Sequence, residues 1–87
     1  MEIKKSAKAG TFESNDIYVM VQPNDKRTIE INLESIVKKQ FGKQIEKVIM
    51  DTLKELGVKS VIITAKDRGA LDYTIKSRIE TAIRRAL

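Results

Sequence analysis

The sequence has 87 residues and contains no cysteine, no histidine and no tryptophan; proline occurs once. Without cysteine there is no thiol nucleophile, no disulfide framework and no Cys/His zinc site. Without an imidazole, a Ser-His-Asp triad cannot be assembled from this chain alone. The four glycines, at positions 10, 42, 57 and 69, are isolated, so no glycine-rich phosphate loop is present. No apolar run approaches the roughly 18 residues that a membrane span needs. Met1-Glu2-Ile3-Lys4-Lys5 is not followed by the apolar stretch of a secretory signal. A cytoplasmic location and no membrane partner are the resulting expectations.

What is present fits one soluble globular domain over residues 1–87, with 41% hydrophobic and 33% charged residues. Lys and Arg total 17 against 12 Asp and Glu, a formal net charge of +5. That balance keeps an anionic partner open, nucleic acid included. The case for nucleic acid rests on charge alone. The basic residues spread over two predicted helices, the Gly-x-x-Gly clamp and the RNP aromatic motif are absent, and Phe12, Tyr18 and Phe41 do not read as a stacking platform. A small basic RNA-binding domain is therefore kept only as an alternative.

Asp16 to Gln22 is rich in strand formers, with Ile17, Val19 and Val21 on one face and Tyr18 and Met20 on the other. Thr28 to Leu33 also alternates, and Pro23 to Arg27 between the two runs reads as the turn of an antiparallel hairpin. Upstream, Ser6 to Glu13 is a further strand, Gly10 marks a weakness or bulge in it, and Ser14-Asn15-Asp16 is its turn. From Ser35 the period changes. Ile36, Val37, Phe41, Ile45, Val48, Ile49, Thr52, Leu53 and Leu56 form one face of an amphipathic helix. Ser35 is the expected N-cap, Gly57 the C′ residue, and Gly42 a possible kink.

Val58 to Ala65 is a β-branched run suited to an interior strand. After the loop Lys66 to Gly69, a second helix buries Leu71, Ile75, Ile79, Ala82, Ile83 and Ala86. The order β-β-β-α-β-α implies an α+β, two-layer domain: a four-stranded, mostly antiparallel sheet with two helices on one face. The other face, with Tyr18, Met20 and Ile62, is either a partner surface or a scatter of exposed apolar side chains.

With thiol and imidazole chemistry excluded, the hydroxyls matter most. Ser35 reads as a cap, Ser60 lies in a strand, Ser77 on a polar helix side and Ser6 near the terminus. Ser14 falls at a predicted turn between Glu13 and Asn15-Asp16. It is either an ordinary turn serine, as composition favours, or a hydroxyl presented to another enzyme. Glu13, Asp16 and Asp67 bind a metal only if the fold brings them together; solvated turn carboxylates are the alternative, and no metal is expected.

Three segments carry a resemblance: Ala9-Gly10-Thr11-Phe12-Glu13-Ser14-Asn15-Asp16, Gln40-Phe41-Gly42 and Asp67-Arg68-Gly69-Ala70-Leu71-Asp72. In this order and spacing the chain resembles the acyl carrier protein (gamma subunit) of citrate lyase over nearly its whole length. The resemblance implies that Ser14 carries a phosphoribosyl-dephospho-coenzyme A through a phosphodiester. The thiol of that group would hold an acetyl thioester. The alpha (transferase) subunit exchanges acetyl for citryl, and the beta (lyase) subunit releases oxaloacetate.

On this reading the chain is a non-catalytic carrier, a subunit of a lyase complex and a substrate of a prosthetic-group transferase. Glu13 and Asp16 either assist recognition by that transferase or simply keep the turn polar. The third segment reads first as loop and helix start, and second as subunit contact. The larger subunits are expected to dock on the outer sheet face or on the basic helix surface around Lys43 and Lys47.

The carrier of malonate decarboxylase, which uses a similar group, is the runner-up. Tyr73 stands where some members of the family have Cys, and the sequence lacks the Asp-Ser-Leu motif of four-helix carriers. Some relatives run on past the position of Leu87, so contacts from such a tail are not expected.

Overall fold

The structure, a computed structural model, describes residues 1–87. Its elements are β1 (Ala7–Ala9), β2 (Ile17–Gln22), β3 (Ile29–Ser35), α1 (Lys38–Glu55), β4 (Val61–Asp67) and α2 (Asp72–Arg85). The α+β order matches the sequence pattern. Both helices cover one face of a four-stranded sheet, and no helix is long and apolar enough to cross a membrane.

The strand pairing departs from expectation at one point. The sheet order is β1-β2-β4-β3, so β2 and β3 are not neighbours and the hairpin around Pro23 does not form. β4 lies between them, antiparallel to β2 (Ile17 opposite Asp67) and parallel to β3 (Leu33 opposite Ala65). The cause is the helix between β3 and β4. A strand-helix-strand crossover returns the chain parallel to the strand it left. β4 also buries Val61, Ile63 and Ala65 fully on its inner face and Ile62 partly on its outer face, which favours an interior position. Asn24 fastens the Pro23 to Thr28 connection by donating to the Thr28 carbonyl (2.9 Å) and accepting from the Lys26 amide (2.9 Å).

The core is the alternating inner face of the sheet against the two helices. Ile17, Val19, Val21 and Ile63 meet Ile49 and Leu53 of α1 and Ile75, Ile79 and Ile83 of α2, all fully buried. α1 ends in a Schellman arrangement, as Gly57 predicted. The Val58 amide donates to the Leu53 carbonyl (2.9 Å), the Gly57 amide to that of Lys54 (3.0 Å), and Gly57 takes φ +72°.

The start of α1 differs. Ser35 is the last residue of β3, not the cap, and the helix begins at Lys38 and runs unbroken through Gly42. Ile36 therefore precedes the helix and is exposed. Gly42 takes the buried position of the first turns, which turns Phe41 outward. Leu71 precedes α2 and is exposed as well. β1 is shorter than expected because Gly10, at φ +90°, turns the chain out of the strand.

Candidate functional site

The segment from Gly10 to Asp16 joins β1 to β2 and holds itself in shape. At Gly10 a Cβ would lie 1.9 Å from the carbonyl oxygen of Ile17, so only glycine fits this close approach. The Thr11 hydroxyl accepts from the Glu13 amide (3.1 Å) and donates to the Asp16 carboxylate (2.7 Å). The Asp16 amide donates to the Glu13 carbonyl (3.2 Å), closing a tight turn with Ser14 and Asn15 at its centre. Asn15 supplies the left-handed residue, at φ +64°.

Asp16 anchors this turn to the body of the protein. It is only 8% exposed. Its carboxylate accepts from the Ile17 amide (2.7 Å) and, in a two-pronged pair, from Arg78 of α2 through Nε (3.0 Å) and Nη2 (2.8 Å). Burial pushes the carboxyl pKa up, but hydrogen bonds from Arg78, Thr11 and the Ile17 amide outweigh it and hold the group at about 2.

Because the folded pKa lies below the unfolded one, this contribution is fully present above about pH 4 and is lost as pH falls toward 2. The shift from 3.8 corresponds to about 2 kcal/mol. Urea unfolding across that range is expected to show the loss. In Asp16→Asn the stability is already lower at neutral pH, and the corresponding acid-dependent slope is absent.

The loop between β4 and α2 braces the turn from the other side. The Asn15 amide donates to the Arg68 carbonyl (2.8 Å) and the Arg68 amide to the Asp16 carbonyl (2.9 Å). The Arg68 guanidinium donates to the Phe12 carbonyl (3.0 Å). Asp67, 2% exposed, organises this second loop by accepting from the Ser35 hydroxyl (2.7 Å) and from the amides of Gly69 (3.1 Å) and Ala70 (3.0 Å). Asp16 and Asp67 thus serve separate frameworks, and neither joins Glu13 in a metal-ligating group.

Ser14 sits at the apex of this braced turn and is exposed. No hydrogen bond within the chain engages its hydroxyl, whereas those of Ser35 and Ser60 are both committed. Glu13 beside it is also exposed. Two features escaped the sequence reading. Arg78 lies 62 positions from its partner Asp16, a pairing no local pattern reveals. Phe12 and Tyr18 do form an aromatic stack, with centroids 4.5 Å apart and planes 25° from parallel, and Lys66 lies near the Phe12 ring. Phe12 lies outside any strand, six residues before Tyr18, and only the fold of the intervening turn brings the two rings together.

The chain is 57% identical to the citrate lyase acyl carrier protein of Streptococcus mutans over 99% of this chain and 84% of that protein. It is 58% identical to that of Clostridium perfringens over 99% of this chain and 85% of the relative. This chain belongs to the citrate lyase acyl carrier protein family. The family model that matches, over residues 4–86, is described as malonate decarboxylase delta subunit (MdcD). A chain from the crystal structure of a Pseudomonas malonate decarboxylase hetero-tetramer in complex with malonate shares the fold. Its TM-score is 0.78 at 16% identity, covering 98% of this chain and 87% of that one.

Acyl carrier proteins carry a covalently attached prosthetic group and work with other subunits. In this citrate lyase acyl carrier protein relative, the three segments singled out in the sequence converge. The first and third are joined by the Asn15–Arg68 backbone pairing. The second and third line a groove of about 610 Å³ in which Phe41 faces Leu71 and Tyr73.

Proposed function

We propose that the chain is the acyl carrier subunit of citrate lyase, a single carrier domain over residues 1–87 that works in the cytoplasm, with phosphoribosyl-dephospho-coenzyme A joined to Ser14 by a phosphodiester. The observation that carries the site is the exposed, uncommitted hydroxyl of Ser14 on a turn fixed from both sides. When bound, the group supplies a thiol on a long arm that carries acetyl and citryl between the alpha (transferase) and beta (lyase) subunits.

The chain's own residues position and present. Gly10, Asp16 and Arg78 set the turn, and Asn15 and Arg68 brace it. A short rigid pedestal gives a tethered group high effective concentration at two active sites. Asp16 is a poor base, since its carboxyl is held at about 2 and its oxygens are engaged. The proton of the Ser14 hydroxyl would then pass to the prosthetic-group transferase. Glu13, exposed next to Ser14, is the carboxylate offered to that enzyme. The carrier itself performs neither acyl exchange nor cleavage.

A carrier role in malonate decarboxylase is the second reading, favoured by the family description and by the shared fold. Reconstitution separates the two. Matured carrier combined with citrate lyase alpha and beta subunits is expected to restore conversion of citrate to acetate and oxaloacetate. Activity only with malonate decarboxylase subunits and malonate would transfer the chain to the second reading.

A further inference from the structure

We propose that the exposed face of Phe12, flanked by Lys66 and Arg68, cradles the adenosine diphosphate portion of the group attached at Ser14. The inference rests on the attachment reading above and adds where the group lies. Phe12 is 55% exposed although it belongs to a braced loop, and its ring is held by the stack on Tyr18. The ring is thus presented in a fixed orientation, so little further ordering accompanies stacking of a base on it. Phe12 precedes Ser14 by two residues, a chain distance of at most about 7 Å. The nucleoside lies close to the attached end of the group, so it is the part within reach.

The surroundings match the chemistry of a nucleotide. The Phe12 ring borders a hollow of about 250 Å³ with Glu34, Ile36, Lys66 and Arg68 on its walls. That volume suits a heterocycle and part of its ribose, not a whole coenzyme. Ile36, 68% exposed, offers a second apolar surface. The Lys66 ammonium lies over the Phe12 ring, 6.0 Å from its centroid, on a flexible side chain that swings toward the phosphates as the base stacks. Neither Lys66 nor Arg68 belongs to an ion pair. Arg68 uses one guanidinium nitrogen on the Phe12 carbonyl and keeps the remaining donors for phosphate oxygens. The carboxylate of Glu34 is an acceptor suited to the exocyclic amino group of adenine, which only donates.

The test is proton NMR of the carrier matured by its own attaching enzymes, with the extent of modification read first by intact mass. The adenine H2 and H8 resonances are expected upfield of those in free dephospho-coenzyme A, with nuclear Overhauser contacts to the Phe12 ring. Phe12→Tyr keeps the upfield shift and Phe12→Ala returns the resonances to their free positions. A full mass increment with adenine resonances at their free positions in the unsubstituted protein overturns the cradle alone. No mass increment in that host overturns the attachment reading, and the cradle with it.

Discussion

Ser14→Ala is expected to abolish the prosthetic-group mass increment and to reduce citrate cleavage by the reconstituted complex to background. The effect is all-or-none because no neighbouring hydroxyl can substitute. Thr11 is tied to Asp16 and to the Glu13 amide, and the hydroxyls of Ser35 and Ser60 are committed elsewhere. Ser6 and Ser77 are exposed but lie on the terminal segment and on α2, away from the braced turn. Folding should be nearly unaffected. An exposed side chain that accepts and donates nothing within the chain changes stability by about 0.5 kcal/mol or less when truncated. Ser14→Ala protein with an unchanged urea midpoint and no modification therefore separates loss of the site from loss of the fold. Ser77→Ala, measured alongside, should keep both the increment and the activity.

The second large effect is structural. Gly10→Ala is expected to cost about 3 kcal/mol or more, read as a large fall in the urea midpoint. Two causes add. The backbone at φ +90° is strained for any residue with a Cβ, and that Cβ would overlap the Ile17 carbonyl at 1.9 Å. Relief would require β1 to separate from β2, because the obstructing atom is main chain and not the end of a flexible side chain. The total stability of a domain this size is about 5–10 kcal/mol.

Gly69→Ala is the control. Its φ of +87° carries the same kind of strain, but the nearest atom to the added Cβ is 3.7 Å away, so a loss of about 1–2 kcal/mol is expected. Equal losses at the two positions in urea unfolding would show that conformation, and not the close approach, decides.

Much of this was legible in local pattern. Alternation gave β2 and β3, the three-and-four spacing gave both helices, and Gly57 marked the end of α1 through the backbone it must adopt. The turn at Ser14 was legible for the same reason: Asn and Asp favour such geometry. What the pattern could not carry was long-range. β4 entering between β2 and β3 depends on a helical crossover, while Pro23 and its polar neighbours look alike in a hairpin and in a longer connection. Phe41 and Leu71 fit the helical period yet lie outside the core, since burial depends on where each helix overlies the sheet. At the site, Ser14 stood out by its turn, whereas Asp16 read as a solvated turn carboxylate until Arg78 closed over it.

These corrections sharpen the account of a chain with no cysteine and no histidine. The polar residues around Ser14 hold a hydroxyl outward and still, and the reactive sulfur is proposed to arrive on the attached group. The most direct measurement is intact mass followed by fragment mapping of the carrier purified from a host that holds its maturation enzymes. The account predicts an increment equal to the phosphoribosyl-dephospho-coenzyme A substituent, located on Ser14. Modification at any other residue, or an unmodified chain from that host, would contradict it.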